Sequence, residues 1–383
     1  MIPYKEKEVI NFKQPLLGMT LEQLQQVVLS FGMPKYSALQ IASRIYKKNC
    51  ISIDEITELS KNFRESLSRD FTIGHNPPAL SQHSADGTIK YLFDVGDNKK
   101  IESVYIPDKD RATLCVSSQV GCRMNCSFCA TGRLGFGGNL TTHDIINQIL
   151  SIPDFDKLTN VVFMGMGEPL DNIDAVMDSI EILTAKWGLE WSPKRITVST
   201  IGKLDNLQRL LEDTKVHIAI SVHSPFSKER ESIMPVEKAF NLEKVIDLLE
   251  HYDFTRQRRC SFEYIMWNGI NDDTRHANAL IKLLRKIPGA RVNLIRFHAF
   301  DGAPQLLPCS KAEMENFRDY LNDNGITATI RASRGEDIMA ACGMLAAKEN
   351  KYPYIYDNEK NSNPIVNSSA SVCVGKRSSD KIP

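Results

Sequence analysis

Residues 121–129 read Gly121-Cys122-Arg123-Met124-Asn125-Cys126-Ser127-Phe128-Cys129, and this stretch decides how the chain is interpreted. Its three cysteines follow a C-x3-C-x2-C spacing, which random placement of the cysteines would give roughly 0.005 times per chain. Three thiolates on one short loop suit three irons of a [4Fe–4S] cluster and leave the fourth iron open. The alternatives are three unrelated cysteines or a zinc site. Structural zinc needs four ligands, and no second C-x2-C pair or His-x3–5-His is present nearby.

Short apolar strands alternate with helix-patterned segments around this loop. Strands are predicted at 114–119, 160–165, 195–199, 216–222, 261–266, 291–297 and 326–331. Helices are predicted at 142–152, 171–187, 203–212, 241–253, 273–287 and 310–324. This alternation indicates parallel β-α-β units, so we expect an α/β fold, a partial (β/α)6 barrel over residues 85–350. Its chemistry should lie at the carboxyl ends of the strands.

The two ends of the chain have a different character. Residues 1–84 predict a small helical accessory domain, whose first helix Thr20 is placed to cap. Its basic residues include Lys35, Arg44, Lys47 and Lys48. Such a unit either grips RNA or only packs with a solvated face, and residue types favour neither. Residues 351–383 are rich in Asn, Ser, Lys and Asp, which predicts a disordered tail.

Composition limits the location and the partners of the chain. Basic and acidic residues number 47 each, so no global field attracts nucleic acid and an RNA-binding surface must be local. No apolar run approaches the ~20 residues that span a bilayer, and the first residues lack the apolar stretch of a signal peptide. We therefore expect a cytoplasmic protein without a membrane partner. An odd number of cysteines, nine, favours metal-binding or catalytic sulfur over a disulfide framework.

An iron–sulfur loop at a barrel mouth resembles the radical S-adenosylmethionine (SAM) superfamily. There, the open iron binds SAM, and an electron cleaves SAM to a 5′-deoxyadenosyl radical. Further segments resemble the RlmN/Cfr family of RNA adenine methyltransferases and follow the family order: TLCVSSQVGC (113–122), MGMGEPL (164–170), SVH (221–223), VNLI (292–295) and DIMAACG (337–343). The resemblance implies a [4Fe–4S] cluster held by Cys122, Cys126 and Cys129, and SAM as cofactor, two molecules per turnover.

The resemblance also implies which residues line the SAM pocket. Gly167 and Glu168 follow the second strand, where a glycine lets a ligand approach the backbone and a carboxylate can accept from the SAM ammonium. The other implied residues fall at or near strand ends: Ser199, Ser221, Val222, His223 and Asn293. Taken singly, each of these positions is explained as well by a tight turn or a helix cap.

Two cysteines outside the loop have separate expected roles. C2 of adenine, one of the carbons that such enzymes methylate, has no nucleophilic lone pair and cannot attack the SAM methyl group directly. A route exists if a thiolate takes the methyl group first. The resemblance implies that Cys342 is this methyl carrier and that Cys115 releases the product through a transient Cys115–Cys342 disulfide. A random cysteine is more often a buried structural residue.

Glu102 is the candidate proton acceptor. If the hairpin turn is centred on Asp108 and Lys109, Glu102 lies directly opposite Cys115, with the two Cβ atoms about 5 Å apart. A family match at residues 101–105 supports this role. The alternative is an ordinary strand carboxylate, which a one-residue shift in register would turn away from Cys115.

The resemblance therefore implies an RNA methyltransferase that modifies C2 of an adenine in 23S rRNA and in tRNAs. It is expected to be a monomer that takes electrons from an external donor. Methylation at C8 by the same residues is the close alternative, although Pro169 is more typical of the C2 branch. An alternative of another class is a non-catalytic iron–sulfur protein that binds RNA but does not cleave SAM.

Overall fold

The structure, a computed structural model, describes residues 13–256, 258–300 and 302–346 and the backbone of two short strands beyond them. The N-terminal part is a helical unit with a two-stranded parallel sheet: β1 (Gln14–Pro15), α1 (Leu21–Ser30), α2 (Tyr36–Ala42), α3 (Lys61–Asp70) and β2 (Phe71–Thr72). Thr20 caps α1 as predicted, in a reciprocal hydrogen-bond pair with Gln23. Helix α2 continues beyond Ala42 as a π-helical turn, Ser43–Lys47.

The remaining strands follow in chain order. They are β3 (Leu80–His83), β4 (Ile89–Asp94), β5 (Lys100–Asp108), β6 (Arg111–Cys115), β7 (Gln119–Gly121), β8 (Phe136–Asn139), β9 (Asn160–Phe163), β10 (Ile196–Thr200), β11 (His217–Ser221), β12 (Cys260–Met266), β13 (Arg291–Arg296), β14 (Thr327–Ile330), β15 (Tyr354–Ile355) and β16 (Ile365–Val366). Strands β7 and β8 form a small sheet of their own. The others form one sheet in the order β14-β13-β12-β11-β10-β9-β6-β5-β4-β3-β15-β16.

The parallel part of this sheet is the predicted barrel. Each neighbouring pair from β6 through β9 to β14 is parallel, whereas β3, β4, β5 and β6 pair antiparallel. The helices that cover it are α4 (Ala130–Arg133), α5 (Thr142–Leu150), α6 (Ile173–Thr184), α7 (Leu204–Asp213), α8 (Ser227–Ile233), α9 (Leu242–Leu249), α10 (Thr274–Leu284) and α11 (Lys311–Asp323). The α/β fold class and the partial barrel are confirmed.

The core lies between the sheet and its helices. Consecutive residues Ile218, Ala219 and Ile220 of β11 have no exposed surface, as expected for a parallel strand that is covered on both faces. A smaller apolar cluster, which includes Phe128, Met234 and Trp267, packs around residues 121–129. The fold therefore holds the cysteine loop in apolar surroundings at one end of the barrel.

The register of β5 and β6 corrects one prediction. Asp108 pairs with Arg111, so the turn is centred on Lys109 and Asp110, and Cys115 lies opposite Val104. The prediction that Glu102 lies directly opposite Cys115 is wrong. The shift is two residues, and side chains alternate with a period of two, so Glu102 still faces the same side of the sheet as Cys115.

The helical unit near the N-terminal end of the chain ends at β2. Strand β3 also lies inside the predicted region 1–84, but it pairs with β4 of the central sheet. The predicted tail, residues 351–383, lies outside the described residues apart from β15 and β16. Among the described residues, no helix is long and apolar enough to cross a membrane.

Candidate active site

A cavity opens at the carboxyl ends of the parallel strands. It encloses about 810 Å³, including its open mouth. Each of its walls comes from a different loop or strand end, so the barrel gathers residues that are far apart in sequence. The predicted site residues among its lining are Cys122, Cys126, Cys129, Gly167, Glu168, Ser199, Ser221, His223 and Cys342.

The cysteine loop folds around two backbone constraints. Gly121 has φ +70°, and a Cβ at this position would lie 1.9 Å from the Gly135 carbonyl oxygen, so only glycine fits. The Cys122 amide donates to that same carbonyl at 2.8 Å. At the other end, Cys129 precedes α4, and the Ser127 amide donates to the Ile233 carbonyl at 2.9 Å. The loop is thus fixed at both ends, with its three thiols facing one cavity.

These thiols fit a cluster. Burial raises the pKa of the Cys122 thiol to about 12, and it also raises the pKa values of Cys126 and Cys129. Three thiolates side by side in an apolar wall therefore need a cationic partner. Iron would supply that charge, and Cys122, Cys126 and Cys129 would hold three irons of a [4Fe–4S] cluster.

Glu168 lies across the cavity from the loop and is held by the protein itself. One carboxylate oxygen accepts from the Thr200 hydroxyl and from the Leu170 amide at 3.1 Å, and the other accepts from the Ile201 amide at 3.1 Å. Burial nevertheless raises the pKa of Glu168 to about 7. A ligand ammonium beside it would favour the ionised form.

Protonation of Glu168 gives the ligand-free protein a pH dependence. The Glu168 carboxyl has a pKa of about 7 in the folded protein and its ordinary pKa of 4.5 in the unfolded chain. It therefore binds a proton more tightly in the folded protein. The resulting stabilisation is complete below pH ~4.5 and is lost as the pH rises through ~7; we expect at most about 3 kcal/mol. Urea denaturation of protein free of cluster and SAM at several pH values measures it. Glu168→Gln should remove this dependence of the unfolding free energy on pH. Glu65→Gln, on the exposed face of α3, should keep it. The same pH dependence in both variants would contradict the assignment to Glu168.

The glycines after β9 allow this turn to pack closely against the segment after β6. A Cβ at Gly165 would lie 2.7 Å from the Val116 carbonyl oxygen, and one at Gly167 would lie 2.6 Å from Cβ of Gln119. Gly167 also has φ +101°, which disfavours any other residue. The close approach of this turn to the segment after β6 therefore requires glycine at both positions.

His223 connects the end of β11 to the aromatic residues behind the cysteine loop. Its ring lies 4.7 Å from the ring of Phe128, edge to face, and its Nδ1 accepts from the Ile265 amide at 3.1 Å. Burial lowers the pKa of His223 to about 3, so the ring is neutral. With Nδ1 occupied as an acceptor, its remaining proton lies on Nε2.

Two predicted pocket residues do not line the cavity. Val222 is fully buried, and its carbonyl accepts from Arg230 at 3.1 Å. Asn293 donates to Glu263 at 2.8 Å and accepts from Thr329 at 3.0 Å. Asn293 therefore contacts Glu263, which lines the cavity, and does not line the cavity itself.

Glu263 and Arg331 line the cavity and were missed by the sequence analysis. Their side chains form an ion pair at 3.6 Å, and the pKa of Arg331 is raised, chiefly by the charge of Cys342 and further by Glu263 and Cys115. Glu263 is the one charged residue of strand β12, which is buried apart from Ser261, and a charge within a buried strand is the signal that would have identified it.

Arg331 interacts electrostatically with two thiols outside the cysteine loop, those of Cys342 and Cys115. Cys342 is exposed and lines the cavity, whereas Cys115 lies at the end of β6. Burial, together with the neighbouring charge of Cys342, raises the pKa of Cys115 to about 12. The structure thus brings these two cysteines, which are 227 positions apart, within electrostatic reach of each other.

A second cavity lies on the other side of Cys342. It encloses about 1,030 Å³ including its mouth, and it shares Cys342 and Arg331 with the first cavity. Two more arginines, Arg111 and Arg334, stand at its wall, with Asp108 as its one acidic lining residue. Arg334 pairs with Asp108 at 3.3 Å. Cys342 therefore lies between an apolar cavity and a basic one.

Two family models match the chain. The radical SAM superfamily matches residues 116–280, and the ribosomal RNA large subunit methyltransferase N-terminal domain matches residues 14–73. A probable dual-specificity RNA methyltransferase RlmN from Parabacteroides distasonis is 57% identical over 338 residues, which are 88% of this chain and 98% of that protein. The chain belongs to the RlmN family of radical SAM RNA methyltransferases.

A more distant RlmN protein and a solved structure are also similar to this chain. The dual-specificity RNA methyltransferase RlmN of Desulfotalea psychrophila is 39% identical over 349 residues, covering 88% of this chain and 96% of that protein. A radical SAM methyltransferase from Sphaerobacter thermophilus superposes with a TM-score of 0.81 at 36% identity, over 88% of this chain and all of that one. The protein is a SAM-dependent RNA methyltransferase, and membership of the RlmN family implies a [4Fe–4S] cluster and SAM.

Proposed function

We propose that this enzyme methylates C2 of an adenine in 23S rRNA and in a subset of tRNAs. The observation that carries the proposal is the position of Cys342, exposed between the SAM-sized cavity and the basic cavity. A methyl carrier must meet SAM on one side and RNA on the other. The relatives named as dual-specificity RNA methyltransferases support two classes of RNA substrate. Pro169, in the turn after Glu168, supports C2 over C8.

In this mechanism Cys122, Cys126 and Cys129 hold the cluster, and Glu168, Ser199, Ser221 and His223 face SAM. When bound, the cluster and SAM supply a 5′-deoxyadenosyl radical for hydrogen abstraction. The Cys342 thiolate takes a methyl group from one SAM molecule, and a second SAM is consumed to activate that methyl group, so two are used per turnover. Arg331 lies close enough to Cys342 for the charge of that thiol to raise the pKa of the arginine.

Release of the product uses Glu102 and Cys115. Once the methylene on Cys342 is joined to C2, Glu102 accepts the proton from C2. Cys115, as the thiolate, then attacks the Cys342 sulfur, and an S–S bond forms as the bond from that sulfur to the methylene breaks. The carbon keeps the electron pair of the broken bond and takes a proton to become the methyl group, and the unpaired electron of the adduct passes to the sulfur pair. External reductant restores the two thiols. We place this chemistry in the cytoplasm, with a monomeric enzyme and an external electron donor.

The accessory unit is proposed to bind RNA through fewer residues than its sequence suggests. Arg44 forms an ion pair with Glu58 at 2.8 Å, and Lys47 pairs with Glu190 at 3.1 Å. The second pair joins the accessory unit to the barrel. Lys35 and Lys48 are exposed, and they are the better candidates for phosphate contacts.

The proposed regiochemistry is tested by mass spectrometry of digested RNA. Unmodified transcripts of 23S rRNA and tRNA are incubated with the reconstituted enzyme, SAM and a reductant, and the nucleosides are compared with C2- and C8-methyladenosine standards. C2-methyladenosine is the expected product. C8-methyladenosine would select the alternative within the family, and binding of RNA without cleavage of SAM would select the non-catalytic protein.

The arginines of the basic cavity should contact RNA. Because each phosphate contact releases counterions, Arg111→Ala/Arg334→Ala should raise the KM for RNA roughly tenfold or more and reduce the slope of log affinity against log salt by about 1 to 2. RNA titrations at several salt concentrations measure both quantities.

Asp108→Asn is the matched control for these arginines. It removes the same ion pair as Arg334→Ala but leaves the cation in place, so the KM for RNA should stay the same or fall. If Asp108→Asn weakens RNA binding as much as the arginine variant, the ion pair is structural and the cavity does not bind phosphate.

A further inference from the structure

Lys90 is a buried lysine for which the mechanism above has no use. Only 1% of the residue is exposed, and its Nζ lies 3.4 Å from Oε1 of Glu102, whose side chain is 2% exposed. Lysine is almost never fully buried unless it is paired. In the register of β4 and β5, Lys90 pairs with Val104 and Glu102 with Leu92, so the two charged side chains are diagonal neighbours on one face.

The second oxygen of Glu102 contacts the segment that carries the methyl acceptor. Oε2 accepts from the Ala346 amide at 2.7 Å, four residues beyond Cys342. The same segment is also bound to α4, where the Ala130 amide donates to Gly343 at 2.7 Å and the Thr131 hydroxyl donates to Leu345 at 2.8 Å. One carboxylate therefore joins Lys90 to the Cys342 segment.

Groups from four directions face Glu102. Lys90 reaches it from β4, Cys115 lies diagonally across on β6, and Ala346 donates from the Cys342 segment. On the fourth side, the Glu102 amide lies 3.4 Å from Sδ of Met166. Lys90 is the cation of this set. A carboxylate buried this deeply needs such a cation, since desolvation otherwise favours the neutral acid.

We propose that Lys90 is a positioning residue whose ammonium pairs with the Glu102 carboxylate and holds it turned toward the segment carrying Cys342. This inference rests on the proposed function, in which Glu102 accepts the C2 proton. The transfer breaks the C2–H bond, leaves its electron pair on the adenine, and forms an O–H bond on Glu102, while Lys90 keeps its own proton. Since Ala346 occupies Oε2, a shift of the Cys342 segment would free that oxygen for the proton.

The test follows the hydrogen that Glu102 removes. RNA carrying deuterium at adenine C2 is given to the Cys115→Ala enzyme, in which the proposed release step is blocked and the RNA adduct accumulates. Mass spectrometry then reports whether the adduct has lost its deuterium. The parent should lose it, Lys90→Met should slow the loss at least tenfold, and Lys90→Arg should restore most of the rate because it retains the cation.

Controls separate positioning from folding. Lys100→Met removes a partly exposed lysine of the same sheet that pairs with Asp94 at 3.6 Å, and it should lose deuterium at the parent rate. Circular dichroism and iron content confirm that each variant is folded and loaded. If Lys90→Met does not fold, Lys90→Gln, which keeps a donor without a charge, decides the same question.

The outcomes distinguish this inference from the proposed function. If the Cys115→Ala parent forms no adduct with RNA, the proposed function itself fails. If the parent forms the adduct and the uncharged Lys90 variant loses deuterium at the parent rate, only the role of Lys90 is overturned. An arginine variant as slow as the uncharged one would also overturn it, because the charge would not be what matters.

Discussion

Replacing Cys115 with alanine is expected to trap the enzyme covalently on its RNA. Cys342 would still accept the methyl group and join it to adenine, but no thiol would then attack the Cys342 sulfur. Cys342 is exposed in the cavity and Cys115 lies next to it, so a substitution at Cys115 leaves the first steps untouched. Multiple turnover should fall by at least a hundredfold, and a protein–RNA band that resists denaturant should appear.

The controls for this trap use Cys342 and an unrelated cysteine. The band should disappear after RNase treatment, and it should be absent from Cys115→Ala/Cys342→Ala, because the tether is gone. Cys342→Ala alone should show no methylated cysteine and no product. Cys260→Ala, at a buried cysteine on β12, should turn over without a trapped species. Normal turnover by Cys115→Ala would make Cys115 a core residue and refute the release step.

Replacement of a cluster cysteine should have an effect of similar size. Each of Cys122, Cys126 and Cys129 is expected to hold one iron, so an alanine at any of them should remove the broad charge-transfer absorbance of the reconstituted protein. Cleavage of SAM should fall by at least a hundredfold, since the electron that cleaves it comes through the cluster.

This loss must be distinguished from a general loss of stability. Cys50→Ala removes a buried cysteine of the accessory unit, and it should keep both its iron and its activity. Iron analysis, absorbance and the yield of 5′-deoxyadenosine are measured together on each variant. A variant that lacks one loop cysteine but retains full iron and normal cleavage would show that the loop is not the cluster site.

The sequence predicted the fold because its strongest signals are local. The strands from β9 to β14 are short apolar runs between amphipathic helices, and each lies close to its predicted position. The cysteine spacing identified the cluster loop in the same way. The other residues of the cavity wall followed only from the resemblance to the RlmN/Cfr family.

Such local signals do not identify polar contacts between residues that are far apart in the sequence. The register error at Glu102 arose because Lys109 adopts φ +50°, which moves the turn by one residue and the pairing by two. Left-handed backbone at a lysine is uncommon and has no sequence mark. Likewise, the partners of Lys90, Glu263 and Arg331 lie on other strands, so only the folded sheet identifies them.

The hydrogen bonds between α4 and the Cys342 segment also link metal loading to substrate readiness. Cys129 immediately precedes α4. In this helix, Ala130 and Thr131 donate hydrogen bonds to the carbonyls of Gly343 and Leu345. If iron orders residues 126–131, it therefore also orders residues 343–345 through these hydrogen bonds. Thermodynamic linkage makes this effect reciprocal. A nascent chain that lacks iron would then hold Cys342, the proposed methyl acceptor, loosely. Cofactor assembly would thereby act as a checkpoint, because the thiol proposed to bond to RNA would be set in place only as the enzyme gains the means to complete the reaction.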